Sequence, residues 1–184
     1  TVASVLDAAS LRVESELAGQ PDVKASVLAT LGTTYQGLGL FAPARERLRA
    51  ALDASIAAHG REHVEVARAL VRLAVAAEEE GDYAEAERLD RQALPLLQRL
   101  GEADGADGAQ VKGGLARVLQ WLGRGEEAEA LFRETLAIER RLEGDRGPGV
   151  AATLNNLGVL LGQRGDWRAA APLHREALEI IRAV

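Results

Sequence analysis

With 184 residues, 47% of them apolar, the chain is long enough to bury a core unaided, and its lack of cysteine excludes a disulfide framework and a thiolate zinc site. A formal charge of -6 and a pI near 5.2 argue against a general nucleic-acid binder, whose affinity comes from clustered Lys and Arg on phosphates. No apolar run approaches the roughly 20 residues of a membrane-spanning helix and no signal-peptide pattern is present, so no membrane insertion is expected; beginning at Thr1 without methionine, the sequence reads as an excerpt of a longer protein.

Residues 1–19 stand ahead of a region that repeats. Shifting the sequence by 42 residues superposes Gly39, Gly81, Gly123 and Gly165, then Leu31, Leu73, Leu115 and Leu157, without a gap. The same shift aligns Ala44, Ala86, Ala128 and Ala170, then Leu52, Leu94, Leu136 and Leu178, and a column of small residues, Gly32, Ala74, Ala116 and Gly158. Repeats therefore run over 25–66, 67–108, 109–150 and 151–184, each with positions counted from its first residue.

In the first repeat, Leu28, Leu31, Gly32 and Tyr35 fall within about 60° of one direction on a helical wheel, which makes them the buried stripe of a helix A. Gly39 ends that stripe, and Leu40-Phe41 opens a helix B that carries Ala44, Leu48, Ala51 and Leu52 at helical spacing. Two helices joined by so short a turn pack antiparallel, and the small residues at positions 8 and 20 let their backbones approach. In the second repeat Pro95 lies well inside helix B, where it lacks the amide hydrogen for the Arg91 carbonyl, so a kink or early break is predicted. The third repeat has Lys112 at a packing position, Gly113-Gly114 inside helix A and a glycine-bearing linker over 101–109. Its helix A is predicted to start late or fray, and the repeat to be the soft unit. The fourth ends on a helix B that carries Leu178 and Ile181, an apolar end that would suit end-to-end self-association.

These columns resemble the tetratricopeptide repeat, in which a large residue, Leu-Gly, an aromatic, Ala, an aromatic and Ala follow one another along two helices. The first repeat carries Leu31-Gly32, Tyr35, Ala44 and Ala51, and the third Leu115-Ala116, Ala128 and Phe132. A period of 42 rather than about 34, the loops over 59–67 and 143–151, and Leu154-Asn155-Asn156-Leu157 are similar to the kinesin-light-chain-like branch. Asp90, Lys112 and His174 depart from the pattern. The resemblance implies an all-α fold, a right-handed superhelix (α-solenoid) of antiparallel helix pairs, with nine helices in all. The N-terminal segment further resembles the start of the repeat region behind the kinase domain of some bacterial serine/threonine protein kinases, although no kinase motif is present. Residues 1–19 would then be a lone helix capping the first repeat. A regulatory docking role is implied, in the cytoplasm, or outside it if the chain is attached to a membrane-bound kinase.

Apparent catalytic and metal motifs do not survive their context. His59, Glu62 and His63 spell H-x-x-E-H, but Gly60 interrupts the single helix that a zinc protease needs. Asp104 and Asp107 lack the ligand alternation of a calcium loop. His174 is expected to pack rather than react, and no Ser-His-Asp set is recognisable. No enzyme activity, metal or other cofactor is expected.

In the repeat class that the sequence resembles, helix A lines the concave surface and positions 2, 5, 6, 9, 12 and 13 face the ligand. The candidate partner-binding residues at these positions are Thr33 and Gln36; Arg68, Arg72 and Val75; Arg117, Gln120 and Trp121; and Asn155, Asn156, Val159 and Gln163. Asn and Gln can pair with peptide amides irrespective of sequence, and the arginines would suit an acidic group. The expected function is a scaffold that holds a protein or peptide, with an acidic one favoured.

Overall fold

The computed structural model describes residues 2–183, which divide into two compact units, Thr1–Leu96 and Leu97–Val184. Nine helices and no strand occur among the described residues: α1 (Val2–Glu16), α2 (Pro21–Gly37), α3 (Phe41–His59), α4 (Val64–Glu79), α5 (Tyr83–Leu100), α6 (Ala106–Trp121), α7 (Gly125–Glu143), α8 (Pro148–Gln163) and α9 (Trp167–Ala183). The all-α expectation therefore holds. The helices α4, α6 and α8 start at Val64, Ala106 and Pro148, so the sequence period reappears in the helix starts.

Each A-to-B turn is built alike. The turn glycines Gly39, Gly81, Gly123 and Gly165 adopt φ of 71°, 79°, 76° and 84°, a left-handed conformation that a side chain would strain. The residue after each glycine closes the turn by donating back across it, as in Leu40 N to Tyr35 O at 2.9 Å and Asp166 N to Leu161 O at 2.9 Å. Reversal at these turns sends helix B back along helix A.

In the first unit α2 packs on α3 through the small-residue column. A Cβ added at Gly32 would lie 2.6 Å from Leu48 Cγ, so the two helices sit as close as the side chains allow. The N-terminal α1 covers α2, with Val13 against Leu28 and Leu31 and Leu6, Ala9 and Leu17 around them. A buried hydrogen bond pins it: Tyr35, 1% exposed, donates its hydroxyl to Asp7 Oδ1 at 2.6 Å. Burial, then this bond, raises the Tyr35 phenol above its ordinary range.

The second unit is organised around Phe132 of α7, fully buried among Leu115, Leu119, Leu157 and Leu160. A further cluster joins Leu136 to Val150, Ala151 and Leu154 of α8 and Ile180 of α9. His174 of α9 lies over Gly158, where an added Cβ would be 2.8 Å from its ring, and packs as expected.

Two of the charged pairs between repeats occupy matching columns with reversed sign. Arg45 of α3 pairs with Glu80 in the first unit, and two repeats further on Glu129 of α7 pairs with Arg164 in the second.

Two expected interruptions are absent. α5 runs continuously through Pro95, so of the two predicted outcomes the early break does not occur. Pro95 is exposed, so its missing donor frees a carbonyl on the solvent side, where water can bond it. Nor does α6 start late: it begins at Ala106, in phase with its counterparts. One of the linker glycines, Gly108, serves packing. A Cβ at Gly108 would fall 2.0 Å from the Ala103 carbonyl oxygen, so this glycine lets the linker close over the first turn of the helix. Lys112 is buried but answered, its Nζ 3.0 Å from Glu134 and 3.5 Å from Asp104.

Two substitutions of the same kind should therefore act in opposite directions. Gly108→Ala should destabilise by at least about 2 kcal/mol, since the backbone itself blocks the methyl group. Gly113→Ala meets only Thr135 Cγ2, at an ordinary 3.4 Å. It should stabilise by about 1 kcal/mol through helix propensity alone. Thermal unfolding followed by circular dichroism reads both.

Glu139 supplies a pH test. Burial raises its carboxyl above the usual range, the neighbouring Glu143 adds to this, and a bond from Thr153 opposes it. A raised folded-state value means that the stabilising, protonated form is fully present below the unfolded-state value and is lost as pH rises through the folded one. Glu139→Gln should thus be more stable than the parent at neutral pH, with the difference vanishing toward mildly acidic pH. Denaturant midpoints across that range check it.

Candidate ligand-binding faces of the two units

In the first unit α2 and α4 lie over α3, and the three line an open-sided cavity of about 370 Å³. Alanines from all three helices leave the space, because side chains this short cannot fill the gap between adjacent A helices. Thr33 and Arg72 are brought together on its wall with Ser26 and Thr30, while Ser55 and His59 of α3 form the floor. The threonines are internally satisfied: Thr30 Oγ1 donates to the Ser26 carbonyl at 3.0 Å and Thr33 Oγ1 to the Ala29 carbonyl at 3.1 Å. Gln36 donates from Nε2 to Glu79 Oε2 at 2.8 Å and ties α2 to α4. Arg68 is held by Glu65 at 2.6 Å, and Val75 is half-buried on α4. Arg72, half-buried, has no hydrogen-bond or ion-pair partner among the described residues.

In the second unit α6 and α8 repeat the amide tie, Gln120 Nε2 donating to Gln163 Oε1 at 2.8 Å. Arg117 and Asn156 are half-buried, Val159 is exposed, and Trp121 is 66% exposed at the end of α6. Asn155 Oδ1 lies 3.2 Å from His174 Nδ1, so that amide supports the fold as well as facing outward. Of the other aromatics placed at the turns, Trp167 is 70% exposed but lies over Gly162, where an added Cβ would meet its ring at 2.9 Å.

Sequence reasoning did not find the floor of the first cavity. Ser55 and His59 of helix B line it, yet only helix A positions were considered, and of those not the first-turn Asp22 and Glu65. The signal was present: Ala51 and Ser55 are small residues on successive turns of helix B, which leaves a floor without bulk. It also did not separate amides open to a ligand from those that bridge helices.

The segment 59–63 is not a helical metal motif. α3 ends at His59, Gly60 follows with φ of 78°, and His63 caps α4 by accepting from Glu65 N at 3.2 Å. The two imidazoles stack instead, centroids 4.3 Å apart. Among the described residues no three or more His, Asp or Glu side chains gather as metal ligands, and no helix is long and apolar enough to cross a membrane.

Comparison with known proteins agrees with this architecture. No curated protein matches the chain. Among solved structures it is similar to BtubC (BKLC) from P. vanneervenii, with a TM-score of 0.85 at 23% identity over 98% of this chain and 72% of that one. It is also similar to the nearly identical TPR-like repeats of a putative kinesin light chain from Podosopora anserina, with a TM-score of 0.71 at 21% identity over 95% and 86%. For MamA the TM-score is 0.69 at 20% identity over 99% and 92%. At these identities the likeness concerns the fold, and proteins of this fold serve generally as protein-protein interaction scaffolds. The Tetratricopeptide repeat family profile matches residues 23–99 and 109–183, most of the chain, which therefore belongs to the tetratricopeptide repeat family.

Proposed function

We propose that this chain is a non-catalytic scaffold whose A-helix faces hold an extended peptide or an extended segment of a protein partner. Trp121 carries the reading. A large indole two-thirds exposed on α6, with exposed Val159 on α8 of the same unit, offers apolar area that a partner would cover, and tryptophans are frequent anchors of such contacts. Asn156 on α8 supplies polar contacts, and Arg117 on α6 favours a partner bearing Asp or Glu. A random peptide display library selected against the whole chain tests this. Enriched sequences should carry acidic residues, and a fluorescein-labelled representative should bind Trp121→Ala about tenfold more weakly, but bind Trp167→Ala as it binds the parent. Equal affinity for the Trp121 variant and the parent would remove the reading.

Exposure of Leu178 (45%) and Ile181 (63%) on α9 favours a second role, end-to-end self-association. The corresponding Leu136 of α7 is buried against Val150, Ala151 and Leu154 of the following helix. Light scattering at two concentrations should show a mass that rises with concentration and returns to that of one chain in Ile181→Ser. A single-chain mass at both concentrations would dismiss this role.

A further inference from the structure

The cavity between α2, α3 and α4 is lined by groups of two kinds, those with partners and those without. Glu65 is held by Arg68, and the Thr30 and Thr33 hydroxyls are bonded within their own helix. Four polar side chains on the wall have no side-chain partner among the described residues: the half-buried Arg72 guanidinium on α4, the exposed Asp22 carboxylate and Ser26 hydroxyl on α2, and the Ser55 hydroxyl on α3. Ser55 is only 5% exposed. A serine inside a helix commonly bonds the carbonyl one turn back, as the α2 threonines do, whereas this hydroxyl is left to the cavity. The unanswered set is thus one cation, one anion and two hydroxyls, of which that of Ser55 lies at the floor.

The fold does not demand that set. Two repeats further on, the matching positions are Ala106 for Asp22, Glu139 for Ser55 and Asn156 for Arg72, so both charges are gone and the floor is acidic. The volume, about 370 Å³, falls in the range of small-molecule sites and equals about a dozen waters. A purely anionic ligand would bring its charge beside Asp22 and Glu65, and a purely cationic one would leave Arg72 unanswered.

We propose that this cavity binds a small free α-amino acid as its zwitterion, with the carboxylate on Arg72 and Ser55 and the ammonium on Asp22. Arg72 supplies a forked donor pair, and the Ser55 hydroxyl donates from the floor. The site does not depend on the peptide reading, which is tested at Trp121 of the other unit.

Calorimetric titration of the whole chain with alanine and serine, against acetate and methylammonium as single-charge halves, tests it. The amino acids should bind and raise the unfolding temperature, with each half at least about tenfold weaker. Arg72→Gln and Asp22→Asn should each weaken amino-acid binding about tenfold, and Ser55→Ala severalfold, while Arg175→Gln on α9 leaves it unchanged. Circular dichroism confirms that each variant is folded; Arg72 and Asp22 are not core residues, so their variants decide the matter even if Ser55→Ala proves unstable. Acetate binding as tightly as alanine would make this a plain anion site and overturn the proposal. So would amino-acid binding that survives both charge variants, or no heat and no thermal shift with either amino acid at about 10 mM.

Discussion

Helix A and helix B of each repeat meet where one side chain or both are too small to hold the backbones apart. At position 8 stand Gly32, Ala74, Ala116 and Gly158, and at position 20 Ala44, Ala86, Ala128 and Ala170, the last four all essentially buried. Close approach there lets the neighbouring larger residues interlock: Leu48 over Gly32, Phe132 beside Ala116 and His174 over Gly158. Dispersion between close-packed groups falls off so steeply with distance that these contacts exist only at that separation. The left-handed glycine at each turn sets the reversal, and the small columns then set how far the returning helix stands away. From that distance follow the position of the next A helix and, in the first unit, the space left between α2 and α4.

Much of this was legible before any coordinates. Turn glycines, helix phases and the nine-helix composition follow from a gapless period, because a fixed repeat multiplies a weak periodic signal. Glycine inside a helix was harder to read, since the residue carries two messages. It can mean freedom of the backbone or absence of volume, and only the tertiary neighbour tells which. Gly108 under the Ala103 carbonyl is a matter of volume, and α6 is accordingly no shorter than α4 or α8. That α5 does not break at Pro95 has a related reason: the cost of a missing donor depends on which side of the helix the orphaned carbonyl faces.

Candidate site residues were legible as a face but not as a set of free groups. Gln36 and Gln120 spend an amide donor on the next A helix, and Asn155 spends its carbonyl on His174. The first two partners lie 43 residues away and the last 19, so no local pattern exposes them. The cavity floor was overlooked because helix B was read only for its contacts with helix A. A polar side chain on a stripe that otherwise reads as core, such as Ser55, marks a place where the stripe has no partner to bury.

The reversed pairs, Arg45 with Glu80 and Glu129 with Arg164, keep attraction in both units while exchanging which helix supplies the cation. Similar repeats in one chain carry a hazard during synthesis, because a helix from one can settle against the neighbour meant for another. Here such an exchange would set Arg45 against Arg164, or Glu129 against Glu80, and like charges at contact distance are repulsive. The sign of this column therefore adds, in charge, to what the differing side chains already say in shape about which helix belongs beside which.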